Sequence, residues 1–315
     1  FALSSIFALR MLGLFMIIPV FSVAGQSYQY ATPALIGLAV GVYGLTQAIL
    51  QIPFSLIADR YSRQPLVVFG LLRFAFGGSI AAMSDTIYGV IIGRAIAGGG
   101  AVSAVVMALL ADVTREENRM KAMAVMVMSI GMSFVVAFSL GPWLTGWVGI
   151  SGLFWVTTVM GLAAILMLLL VPKVTRHHRN FQQGYITQFK QVLKMGDLNR
   201  LHVSVFTLHL LLSAMFIYVP SQLIKFADIP LQHHGWVYLP LLLVSLFVAF
   251  PSIVLAEKYR KMRGIFLTAI AGIILGLLVL IFGFESKYIL LLGLGLFFIA
   301  FNVMEALLPS SLSES

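Results

Sequence analysis

The sequence contains no cysteine. A disulfide framework, a thiolate nucleophile and a thiolate metal site are therefore excluded. Charge is scarce as well. Charged residues make up 10% of the 315, against roughly a quarter in a soluble domain. So few polar side chains cannot cover a water-soluble body. That excludes a soluble globular enzyme, a disordered chain and a nucleic-acid-binding protein. What is abundant is apolar: hydrophobic residues reach 60%, with a mean hydropathy of +1.02. The chain reads as all-α, a polytopic transmembrane helical bundle. No metal motif, Ser-His-Asp order or nucleotide loop stands out, so neither catalysis nor a cofactor is expected. His177-His178 and His233-His234 read as adjacent pairs in loops, which do not face one site.

About 20 apolar residues cross a bilayer as a helix. Ten stretches qualify: 2–24, 34–58, 65–83, 86–111, 121–146, 150–172, 201–225, 235–256, 264–284 and 287–308. Loop charge sets their sidedness. Fifteen of the twenty Lys and Arg residues fall in 59–64, 112–121, 173–200 and 257–263. The alternate loops hold only Lys225 and Lys287, and Arg10, Arg73 and Arg94 lie within spans. This bias places both ends of the chain in the cytoplasm. It also explains the net charge of +9 without any nucleic acid. The basic linker 173–200 is a solvated loop that could also touch anionic lipid headgroups.

The chain repeats itself. Pro53, Ala58, Asp59, Arg60, Tyr61 and Arg63 match Pro251, Ala256, Glu257, Lys258, Tyr259 and Lys261 at an offset of 198. Phe7, Leu9 and Arg10 align with Phe206, Leu208 and His209 at 199. The predicted organisation is an N-terminal six-helix half (1–172), a linker (173–200) and a C-terminal half (201–315) carrying spans 7 to 10. Parallel repeats of this kind are a transporter architecture. By the same offset the second half would extend near residue 370, so two further helices are expected to complete it.

Four blocks carry a resemblance: Leu9-Arg10-Met11-Leu12-Gly13, Tyr43-Gly44-Leu45-Thr46-Gln47-Ala48, Met107-Ala108-Leu109-Leu110-Ala111-Asp112, and Asn302-Val303-Met304-Glu305-Ala306-Leu307-Leu308-Pro309. Together they resemble the drug/proton antiporters of the major facilitator superfamily. The resemblance implies a proton-coupled antiporter that exports small hydrophobic or drug-like compounds by alternating access. It also implies a monomer in a bacterial inner membrane, with protons and a small molecule as its partners. The alternatives are a uniporter or symporter of small solutes, or a non-transporting truncated remnant or membrane interaction protein. Asp59, Arg60, Arg63 and Asp112 match the family's cytoplasmic gating motif, which implies a latch among spans 2, 3 and 4. Ser55 and Ser62 stand where that motif has glycines. A Ser at such a turn would adopt positive φ only at a cost. Gly141, Pro142 and Gly146 resemble the antiporter motif of the fifth span, where Pro and Gly bend the helix and open backbone carbonyls to a cavity.

A charged side chain inside a span is by default a functional-site candidate. Arg10 lies about 22 Å from the outer end of its span at 1.5 Å per residue. Arg10 and Arg73 are long enough to snorkel. The resemblance implies that Arg94, heading Gly93-Arg94-Ala95-Ile96-Ala97-Gly98-Gly99-Gly100, faces a cavity and takes part in proton transfer. Glu305 is the clear intramembrane carboxylate and the expected coupling group. His209, at the position of Arg10, can titrate near neutrality. Tyr43, Gln47 and Gln51 share one helix face at i, i+4 and i+8 and are the substrate-cavity candidates.

Overall fold

A computed structural model describes residues 2–172, 194–259, 262–283 and 285–310. Most of the linker, Lys261 and the side chain of Glu257 lie outside the described residues, so the proposed lipid contact and that part of the repeat do too. The described elements are all helical: α1 (Ala2–Ala24), α2 (Pro33–Arg60), α3 (Arg63–Ala82), α4 (Ile87–Gly98), α5 (Ser103–Val113), α6 (Glu116–Leu168), α7 (Gly196–Ala227), α8 (His234–Lys258), α9 (Met262–Gly283) and α10 (Lys287–Ser310). Two compact units divide them, residues 1–179 and 180–315.

Among the described residues, nine helical stretches are long and apolar enough to cross a membrane. The longest, α6, runs 53 residues. That is about 80 Å at 1.5 Å per residue, far beyond a hydrocarbon core of about 30 Å. Its backbone breaks at Gly149, with φ 68° and ψ −178°, a region open essentially to glycine alone. Contacts with α1 show that the chain reverses there. On the first arm, Ser133 donates to the Ala8 carbonyl and Gly141 packs on the Met16 backbone, so both helices ascend together. On the second arm, Thr157 packs by Gly13 and Phe154 by Phe21, so the order is inverted. The fifth and sixth spans are therefore a helical hairpin turning at one residue.

The fourth span differs from expectation. A single helix was anticipated over 86–111, yet α4 stops at Gly98 and α5 starts at Ser103. The intervening strap is held by Val102 N–H donating to Gly100 O at 2.8 Å. The break lies where this span closely approaches α3. A Cβ on Gly100 would collide with the Gly70 carbonyl, and one on Gly77 with the Gly93 carbonyl. Small residues let the two backbones touch. A buried apolar cluster, including Ile6, Phe7, Leu71, Val105 and Leu109, fills the end of the unit below this break.

In the second unit α10 is the central helix and packs against α9, α8 and α7. Gly276 admits the backbone of Phe297 there. Both units turn large apolar groups outward, among them Phe247, Phe282 and Trp147. Helices apolar on every side, buried face and outer face alike, are what a lipid solvent selects. The expectation that His233-His234 forms a loop pair is corrected. His234 opens α8, is fully buried, and its Nε2 meets Ile229 O at 3.0 Å.

Candidate functional site

The first unit gathers its polar side chains around the broken span. Arg10, 1% exposed, donates from Nη1 to Ser103 Oγ at 2.6 Å. Its Nη2 donates to Tyr43 Oη at 3.1 Å and to Gln47 Oε1 at 3.0 Å. The guanidinium therefore turns inward and does not snorkel. Periodicity on α2 brings Tyr43 and Gln47 to it together. Gln51, one turn further on the same face, joins no hydrogen bond of this cluster. Arg94, 3% exposed, donates to the carbonyls of Ala39 and Val40 and stacks over the Tyr43 ring, 5.5 Å from its centroid. Arg73 is half-buried, and its guanidinium fills the space a Cβ would need at Gly99. A cavity of about 20 Å³, lined by Arg94, Tyr43, Phe74 and Thr157 among others, adjoins the cluster. That is room for about one water molecule.

Ser103 is the member that sequence reasoning missed. Its signal was weak: a hydroxyl just past a glycine run, where a helix can restart.

At the other end of this unit, Arg63 opens α3 beside the last turn of α2. Its Nη1 donates to Asp112 Oδ2 at 2.6 Å and to the Ala108 carbonyl. Its Nη2 lies 3.7 Å from Asp59 Oδ1. One buried guanidinium thus joins α2, α3 and α5. Arg60 points outward from the same turn. Ser62 has φ −61°, so the anticipated strain is absent. Ser55 Oγ returns to Gln51 O at 2.8 Å.

The Gly141 and Pro142 face packs on α1 rather than opening carbonyls into a cavity within this unit. Both residues are buried, Thr145 Oγ1 caps the Gly141 carbonyl at 2.7 Å, and Gly146 is exposed.

In the second unit, His209 on α7 and Glu305 on α10 face each other, with Nε2 and Oε1 3.8 Å apart. Each is about half exposed, at 50% and 47%. His209 Nδ1 lies 2.9 Å from the Val205 carbonyl. That carbonyl can only accept, so Nδ1 carries a proton. Nε2 then meets the carboxylate favourably only when a second proton lies on one of the two. One turn before Glu305, Asn302 donates to Ser245 Oγ at 2.7 Å and ties α10 to α8.

Long apolar helices with charged side chains buried inside the spans are the marks of a multi-pass membrane protein. The Major Facilitator Superfamily matches residues 3–314, and the chain belongs to that family. It is 44% identical to the inner membrane transport protein YajR of Escherichia coli, over 99% of this chain and 69% of that one. Multidrug resistance protein 1 of Bacillus subtilis is 27% identical over 58% of this chain and 47% of its own. Among solved structures, a bacterial homologue of the human lysosomal transporter Spinster, inward-facing and unoccupied, superposes with a TM-score of 0.77. That match has 15% identity and covers 98% of this chain and 73% of the other. At this identity the likeness concerns the fold.

Proposed function

We propose that the chain works as a proton-coupled antiporter of the bacterial inner membrane, exporting small drug-like compounds by alternating access as a monomer. The observation that carries this reading is the His209–Glu305 contact. With Nδ1 engaged by Val205, the pair sets an imidazole nitrogen and a carboxylate within ion-pair distance, half open to their surroundings. A carrier driven by a proton gradient needs such a group, able to load on one side and release on the other. The names of the relatives, an inner membrane transport protein and a multidrug resistance protein, support the same direction. Loop charge supports cytoplasmic ends for this chain. In this scheme the Asp59–Arg63–Asp112 bridge latches one state of the first unit and releases it in the other.

The test is flux in proteoliposomes under an imposed pH gradient. Glu305→Gln should abolish gradient-driven transport while membrane insertion and the folded content stay unchanged. Undiminished pH-driven flux in this variant would remove Glu305, and with it the carrying observation.

A further inference from the structure

We infer that the arginine cluster of the first unit is an anion site, and that the transported compounds carry a carboxylate or a similarly compact anionic group on an apolar body. The inference rests on the transporter reading and adds a substrate class to it.

The argument is one of missing countercharge. Arg10 and Arg94 are almost fully buried, and every partner they have is neutral: a serine, a tyrosine, a glutamine and two backbone carbonyls. Arg73 has no hydrogen bond or ion pair among the described residues. The acidic residues of 2–172 are Asp59, Asp85, Asp112, Glu116 and Glu117. All five stand at the ends of spans, and Asp59 and Asp112 are engaged with Arg63. Three cations thus share one stretch of membrane-embedded structure without a carboxylate within ion-pair distance among the described residues. Buried charge of this kind is costly unless it meets an opposite charge.

Two further features point the same way. Arg10 Nε is buried and has no acceptor, so a donor remains on a side chain that is otherwise saturated. The break at 99–102 sets the N-terminus of the eleven-residue α5 beside Arg10, through Ser103. Its first amides and its dipole favour an anion in the same place. Guanidinium groups bind carboxylates in a two-pronged fashion that ammonium groups cannot copy. Leu14, Ile17 and Phe74 supply the neighbouring apolar surface.

Equilibrium binding to the purified chain, with no pH gradient, tests the assignment. The probes are 1-naphthylacetate and its neutral amide. The parent should bind the carboxylate at least tenfold more tightly than the amide. Arg73→Gln should bring that ratio to about one with the amide affinity unchanged. Arg73 makes no hydrogen bond that folding would miss, so this variant guards against misfolding of an Arg10 variant. Arg10→Lys keeps the charge but loses the fork, and should retain only part of the preference. No preference in the parent, or a preference that survives both Arg73→Gln and Arg10→Gln, would overturn the inference. So would displacement by inorganic phosphate without any preference for naphthylacetate, since the cluster would then hold a resident ion rather than substrate. A preserved ratio beside an absence of proton-driven flux would sink the antiporter reading and leave the anion site standing.

Discussion

Arg10 and His209 align at an offset of 199 in the sequence, and their surroundings are opposite in kind. Arg10 is sealed inside the first unit, permanently charged, with a hydroxyl, a phenol and an amide as its acceptors. His209 is half exposed and faces a carboxylate. One half fixes charge and the other can exchange it. Under the proposed function, such a scaffold divides a transport cycle, with an electrostatic anchor in one half and the proton in the other, by one residue type at one helix position.

The division can be broken deliberately. The largest effect is expected from Glu305→Gln, with pH-driven flux falling to the protein-free background while binding of naphthylacetate persists. Survival of coupling would mean that the second unit does not hold the proton. Next comes His209→Arg, which makes the two halves alike. It replaces an imidazole by a guanidinium that stays charged, so the response of flux to pH should flatten. A profile like that of the parent would assign the pH dependence to another group.

A third variant sharpens the contrast by touching the scaffold alone. Gly149→Ala meets no neighbouring atom but cannot adopt its backbone angles without strain, at about 1–3 kcal/mol. The readout is thermal unfolding in detergent, and an unshifted midpoint would show that the hairpin can turn another way. The smallest effects belong to the latch. Asp112→Asn should cost about 1 kcal/mol through the charged hydrogen bond it weakens, and Asp59→Asn less, about 0.2–1 kcal/mol for a longer ion pair to a partly exposed carboxylate. The order follows from 2.6 Å against 3.7 Å. Single cysteines, available because the chain has none, would report whether Asp59→Asn favours the inward-open state. Identical accessibility patterns in variant and parent would argue against a latch.

Much of this was legible in the sequence because lipid imposes a simple rule. Apolar runs of sufficient length are helices, so the spans, and the turn between the fifth and sixth, can be read from hydropathy. Arg10, Tyr43 and Gln47 could be picked out individually by their rarity or their spacing. Their mutual bonding could not be, since it depends on how α1, α2 and α5 approach. The break in the fourth span was hidden for a related reason. Gly98-Gly99-Gly100 reads equally well as a helix surface for close packing, and its closeness to Gly70 and the Arg73 guanidinium is visible only in three dimensions. Ser62 shows the converse error, because a motif's glycine suggested a strained turn where extended backbone suffices.

The turn at Gly149 has a consequence for biogenesis. With no connecting loop, the fifth span cannot be released into lipid and left to wait while its successor is still outside. The two must leave the insertion machinery as a pair, already antiparallel, with α1 available to pack along both. The order of synthesis suits this, since α1 emerges first and can receive the hairpin as it forms.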